Sequence, residues 1–528
     1  MIIDAESVPS GEAIEADLCI VGAGPAGLTL ARQFIGTQHR VYILESGGRA
    51  LDGRALDLAD GENRGDPYFP LSLARARVLG GSSYMWDEWV RARPLDRIDF
   101  QRRTWVADSG WPFGLETIEE FYPRAHEILG LGDFDYNVPV GRPFSGGLGH
   151  GDEVVPAVFR YSNTFDFEKL VREIDASSNV CLVLNGNVLE LEPAPDGSAV
   201  RKVVVSSALP QKFRVAGRVF VLAAGGIDNA RLLLASRSGS AKGLANSSGL
   251  VGSHFMEHPT MRRGRILQGK DVGSDQLGSV EQVAQDGIGL RVALAPSDAL
   301  MERAGILNAM ALITASTEAG TSEAFRSMAI VRDGLRGNNT SGEPAFGHLL
   351  GLVRHPMEAV RVLRARSGGS PDALQLSFTV EQAPGSGSKV GLSDELDAFG
   401  QPRAFLKWVV GDQERRTVRV FQDAIGRMLE TSGLGRVDGL LGDEFPARRF
   451  RGEWHQLGTT RMAASPRQGV VDADCRSHDV PNLFVAGGSV FPTVGYANPT
   501  LTILALSLRL SGTLETALSR EASLGPIW

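Results

Sequence analysis

Cysteine is scarce: Cys19, Cys181 and Cys475 are the only three in 528 residues, and they lie far apart. An odd, dispersed set excludes a disulfide framework and a cysteine-based zinc site, and it suits a reducing compartment. Clusters of Lys and Arg backed by aromatics are also missing, and the net charge is −8. Nucleic acid is therefore not an expected partner. The N-terminus, MIIDAESVPSGEAIEAD, has no basic segment, and the apolar run LCIVGAG is too short for a signal core or a membrane span. A cytoplasmic protein without a membrane span is expected. The 63 glycines follow no fixed period, which excludes collagen-like and low-complexity chains. What remains is an ordinary globular composition, too long for one simple core, so two domains or one large composite unit are expected.

The segment ADLCIVGAGPAGLTLARQF reads as a strand over Leu18–Val21, a glycine turn and a helix from about Pro25. Gly22, Gly24 and Gly27 fit G-x-G-x-x-G: a tight turn, a close backbone approach to a pyrophosphate, and close helix–strand packing. A second apolar strand, HRVYILESGG, ends in Glu45, eighteen residues after Gly27, where an acceptor for a ribose hydroxyl is expected. This predicts a dinucleotide site without separating NAD from FAD. RVFVLAAGGIDNARLLLAS (Arg218–Ser236) and NLFVAGGSVFPT (Asn482–Thr493) repeat the pattern of strand and glycine break. A chain that returns twice to one nucleotide-binding sheet favours the larger cofactor, FAD.

RARVLGGSSYMWDEWVRARP (Arg75–Pro94) sets Gly80 and Gly81, which would let backbone lie against a flat ring, before the short donors Ser82 and Ser83. Trp86 and Trp89 follow at helical spacing and serve either the ring or the core. HFMEH (His254–His258) formally fits the zinc pattern H-x-x-E-H, but Pro259 interrupts the helix such a site needs, and no metal is expected.

These motifs, with GLVGSHFMEHP, HQLGTTRM and NLFVAGGSVFPTVGYANPTLTILALSLRL, resemble the glucose–methanol–choline (GMC) oxidoreductases in one collinear series over residues 18 to 510. The chain looks closest to the pyranose oxidase and bacterial glycoside 3-oxidase branch. The resemblance implies an α/β fold: a Rossmann-like FAD-binding domain, discontinuous in sequence, with a substrate domain on a mainly antiparallel sheet. Residues 1–95, 176–260 and 441–528 would form the FAD domain and 96–175 a connecting, substrate-side segment. The substrate domain would be 261–440, where the match is loose, with a candidate lid or insertion at 314–372. The residues implied for FAD are Gly22, Gly24, Pro25, Ala26, Glu45, Ser46, Arg77, Gly80, Gly81, Ser82, Ser83, Trp86, Val188, Ala224, Gly225, Gly487, Gly488, Asn498, Pro499 and Thr500. In pyranose oxidase a histidine just before the tryptophan of this glycine loop bonds covalently to the flavin. Met85 stands there in this sequence, which implies FAD held non-covalently. Asp87 replaces a hydroxyl side chain near flavin N5, so the electron acceptor, oxygen or a quinone, stays open.

Flavin oxidation of an alcohol needs a base for the hydroxyl proton and a hydride acceptor, and histidine titrates in the useful range. Of nine histidines, His455 precedes the glycine-punctuated GTTRM and shares the C-terminal module with the last nucleotide-binding strand. The resemblance matches His455 to the family's catalytic histidine and Asn498 to its second active-site residue. Asn498-Pro499 also reads as a helix N-cap with proline at the first helical position. A side chain used as a cap cannot also hold substrate, so either backbone amides near Thr500 serve the flavin and Asn498 faces substrate, or Asn498 is structural. GIGLRVALAP, LQLSFTVEQAP, SKVGLSD and RAFLKWVV read as strands of a sheet covering the flavin, with Gln382 a candidate cavity residue. The expected activity is oxidation of a secondary alcohol, a sugar or glycoside ring hydroxyl at C3 or C2, to a ketone. A non-sugar alcohol such as a sterol, polyol or aromatic alcohol is the alternative. A flavin-binding scaffold without turnover would need neither His455 nor Asn498.

Overall fold

The computed structural model describes residues 1–86, 90–137, 153–162, 165, 167–270, 272, 281–283, 288–315, 374–442 and 445–522. Asp87, Trp89 and nearly all of the candidate insertion 314–372 lie outside them. The first sheet runs Ile2–Asp4, Val180–Leu184, Val41–Leu44, Ala13–Val21, Phe213–Leu222, Val200–Ser206, Asn187–Pro193, with Leu483–Val485 also pairing on Phe213–Leu222. Pairing is parallel from Ile2–Asp4 to Phe213–Leu222 and again to Leu483–Val485. The central segments Leu18–Val21, Val41–Leu44 and Val219–Leu222 are near-continuous Val, Leu and Ile because helices and neighbouring strands cover both faces. Three distant parts of the chain thus build one nucleotide-binding sheet.

The second sheet is antiparallel, in the order Gly435–Asp438, Thr260–Gln268, Leu374–Val380, Ala309–Ala315, Ile288–Pro296, Val154–Ser162, Val90–Ala92, with Glu281–Val283 on Ile288–Pro296. The expected boundaries shift at two places. Val90–Ala92, assigned from sequence to the first FAD segment, is an edge strand of this second sheet. The hairpin Lys389–Leu396/Pro402–Trp408, expected to cover the flavin, instead joins Gly61–Gly65 in a separate three-stranded sheet. That sheet packs on the helix Gly225–Ala235. A buried bidentate pair, Arg103 to Glu381 at 2.7 and 2.6 Å, ties the loop after Arg97–Phe100 to the end of Leu374–Val380.

The long helix Thr500–Ala522 packs against Pro25–Arg32 and Tyr122–Ile128. Over Thr500–Ser519 it is apolar and long enough to cross a membrane, yet 56% of that window is buried inside the molecule. Leu501, Leu504, Leu508, Leu514 and Leu518 are all enclosed, each contributing about 1.5–3 kcal/mol by leaving water. It is a core helix, and its N-terminal end points its partial positive charge into the site described next.

Candidate active site

The glycine turn after Ala13–Val21 has geometry that only glycine accommodates. Gly22 has φ +106°, and a Cβ there would lie 2.6 Å from the Ala223 carbonyl oxygen. A Cβ on Gly27 would sit 2.0 Å from the Gly22 oxygen, so this residue sets how closely the helix Pro25–Arg32 approaches the strand. The turn also meets the second glycine loop, since the Gly80 amide donates to the Ala23 carbonyl at 2.9 Å. Glu45, at the end of Val41–Leu44, accepts from the Ala23 and Gly47 amides, both at 2.9 Å. Burial raises its pKa against those hydrogen bonds.

These elements wall a cavity of about 450 Å³. Among its lining are Gly22, Gly24, Pro25, Ala26, Glu45, Ser46, Arg77, Gly81, Ser82, Ser83, Trp86, Val188, Ala224, Gly225, Gly487, Gly488, Pro499 and Thr500, with His455 and Asn498. Gly80 is not on that wall: its αL backbone faces the Phe167 ring, 2.8 Å from where a Cβ would be, so it shapes the loop. The Ser83 hydroxyl donates to the Gly80 carbonyl at 2.7 Å and works within the turn. Trp86 lines the cavity and packs on Phe165 at 5.8 Å. Gln382 is turned away: fully buried, it accepts from the Glu257 amide (2.9 Å) and Trp408 Nε1 (3.1 Å).

Sequence reasoning named Arg77 but missed the charges grouped with it on the same wall. Asp228 accepts from Arg75 Nε and Arg77 Nη2, each at 2.7 Å, and from Arg231 Nε at 3.1 Å. Burial opposes ionisation of Asp228, but the three guanidiniums outweigh it and hold the carboxyl well below its usual range. The signal lay in RAR and IDNAR, which flank glycines that took most of the sequence reading.

At the other end stand His455 and Asn498. Asn498 is not the cap its sequence suggests. The helix begins at Thr500, the Pro499 carbonyl accepts from the Ile503 amide at 2.9 Å, and the Asn498 side chain turns to His455. Asn498 Nδ2 lies 3.5 Å from His455 Nε2. A second histidine, which the sequence reading left aside with the zinc pattern, completes the group: His258 Nδ1 is 2.7 Å from His455 Nδ1. Its neighbour His254 diverges, with Nε2 3.9 Å from Asp108. Met256 and Leu457 exchange backbone hydrogen bonds at 3.0 Å, which fixes the two histidine segments side by side. The Glu257 carboxylate accepts from the His455 amide (2.7 Å), the His258 amide (3.0 Å) and Tyr68 Oη (2.6 Å). Burial drives Glu257 up to about 7 against these bonds. Burial, then His258, holds His455 well below the ordinary imidazole range, and burial lowers His258 to about 4. Both shifts favour the neutral ring.

The fold, a parallel sheet with glycine turns around a long cavity, and the group at its end define an FAD-dependent oxidoreductase acting on CH–OH groups. Residues 384–507 match the family model of the GMC oxidoreductases. It is 27% identical to the fructose dehydrogenase large subunit of Gluconobacter japonicus, over 57% of this chain and 47% of that protein. It is 23% identical to 6'''-hydroxyparomomycin C oxidase of Streptomyces lividus, over 96% of this chain and 92% of that one. The pyridoxine 4-oxidase structure from Mesorbium loti superposes with TM-score 0.53 at 18% identity, covering 95% of this chain and 99% of that one, a likeness of fold. The residues present fit FAD: bare glycine backbone, a buried acid at the end of the second strand, and helix N-termini around one long cavity.

Proposed function

We propose that the protein oxidises a ring hydroxyl of a sugar or glycoside, at C3 or C2, to a ketone, with His455 as the base. One observation carries this reading. His455 Nε2 and Asn498 Nδ2 stand 3.5 Å apart on the cavity wall, one an acceptor when the ring is neutral, the other a donor. A hydroxyl placed between them gives its proton to Nε2 and accepts a hydrogen bond from Nδ2, so the oxygen is deprotonated and oriented together. FAD, when bound, supplies the hydride acceptor. Gly22, Gly24, Glu45 and Arg77 would hold its ADP part, with Gly81 and Ser82 beside the ring. Pro499 and Thr500 bring the positive end of the long helix to the same cavity, which favours negative charge developing there.

The sugar assignment draws support from the relatives, one named for fructose and the other for an aminoglycoside. It also draws on Trp454, half exposed, stacked on Phe69 at 4.4 Å and lining the cavity beside His455. Electrons would leave to oxygen or a quinone. The test is anaerobic addition of a glycoside panel to the purified flavoprotein. Bleaching by a glycoside is expected, and bleaching only by other alcohols would remove the sugar. His455→Ala should keep its FAD yet be reduced about 10²–10⁴-fold more slowly; reduction at the wild-type rate would place the base elsewhere.

A further inference from the structure

We infer that His258 is a positioning residue and proton partner for His455: it fixes the tautomer that leaves His455 Nε2 bare at the cavity, and it shares the proton taken from the alcohol. This rests on the reading of His455 as the base. Two Nδ1 atoms at 2.7 Å require one to donate and the other to accept. His258 Nε2 faces the Val494 carbonyl at 3.4 Å, with the Gly495 carbonyl beside it. Carbonyls only accept, so the hydrogen of neutral His258 belongs on Nε2 and its Nδ1 is a lone pair. His455 Nδ1 must then carry hydrogen, and its Nε2 is bare. Donors run in one direction: Asn498 Nδ2 to His455, His455 Nδ1 to His258, His258 Nε2 to Val494.

The proton balance follows. The alcohol O–H proton goes to His455 Nε2, the O–H electron pair becomes part of the new C=O bond, and the hydride leaves to FAD. The Nδ1 proton of His455 can pass to His258 Nδ1. His455 is then neutral in its other tautomer and His258 carries the charge, with both N–H groups still bonded. A cation that one enclosed ring would hold poorly is spread over two. The ionisable groups facing the pair are Glu257, bonded to Tyr68 Oη, on the backbone side, and Glu381, paired with Arg103, acting on His258. Glu453 precedes His455 by two residues. None supplies a direct side-chain hydrogen bond to either ring among the described contacts.

The first measurement needs no substrate. In holoprotein selectively labelled with ¹⁵N-histidine, and assigned with H455A and H258Q, His455 should show hydrogen on Nδ1 and a bare Nε2. Hydrogen on His455 Nε2 overturns the proposal. The second is stopped-flow flavin bleaching with any alcohol that reduces the wild type. His258→Phe keeps the ring volume but neither role, and should slow reduction at least about 100-fold with substrate affinity and FAD content kept. His258→Gln can accept from His455 Nδ1 and donate to the carbonyl, so it should recover to within about tenfold of wild type. Its acid limb should move, because the second ring no longer shares the proton. Wild-type rates in H258F, or an unmoved limb in H258Q, sink the idea. Should H258F lose its flavin, the tautomer and H258Q decide. Wild-type reduction in H455A would instead overturn the base itself.

Discussion

Glu257 shows how a single residue holds two others in place at a cost. It is fully enclosed, bonded to Tyr68 and to the backbone amides of both histidines, and driven up to about 7 from an ordinary 4.5. A carboxyl raised by folding contributes stability that is fully present below its unfolded value and is lost as pH rises through the folded one. The window is therefore about pH 4.5 to 7, and the loss above it is at most about 3 kcal/mol. Glu257→Gln resembles the protonated form at every pH. Its melting temperature relative to wild type should rise between pH 5 and pH 8. A gap that narrows over that range would show that the hydrogen bonds to the carboxylate outweigh its burial. Asn498 makes a different point at the same scale. An Asn-Pro before an apolar helix looks like a cap from sequence, yet the helix starts one residue past the proline and the amide is left for His455.

Among elements, the strand–turn–helix around Gly22 to Gly27 was the most legible part of the chain, since the close approach of Gly27 to Gly22 is a backbone contact within six residues. Gly27→Ala tests that directly. Its Cβ would meet a backbone oxygen at 2.0 Å with no flexible side chain to yield. The expected cost is about 1–3 kcal/mol or more, seen as a lower melting temperature and reduced flavin in the purified protein. Gly512→Ala, in the helix Thr500–Ala522 with nothing within 4 Å of its added carbon, is the control and should be neutral or stabilising by up to about 1 kcal/mol. Unchanged flavin content in Gly27→Ala would deny the turn its role. The elements that sequence did not reveal are those made by distant pairing. His258 reaches His455 across 197 residues, and Lys389–Leu396 and Pro402–Trp408 join Gly61–Gly65 rather than the sheet beside them in sequence. Local periodicity identifies such strands but does not encode their partners.

At the scale of the molecule, three chain segments converge on the first sheet, and the cavity of about 450 Å³ lies among all of them. Its walls include bare glycine backbone and the buried Arg75–Asp228–Arg77 group, surfaces that a bound flavin would cover. FAD therefore acts as part of the core, and its binding energy adds to folding stability. At a free concentration near 1,000 times its Kd, the gain is about 4 kcal/mol, several degrees of melting temperature for a chain of this size. Met85, where a covalently linked relative would place a histidine, gives the complementary expectation that nothing but this binding energy retains the flavin. Acid or heat denaturation should release yellow flavin into the supernatant, and refilled apoprotein should melt several degrees above empty apoprotein. Flavin that precipitates with the chain would mean a covalent bond through some other residue, and the dependence of melting temperature on added FAD would then vanish.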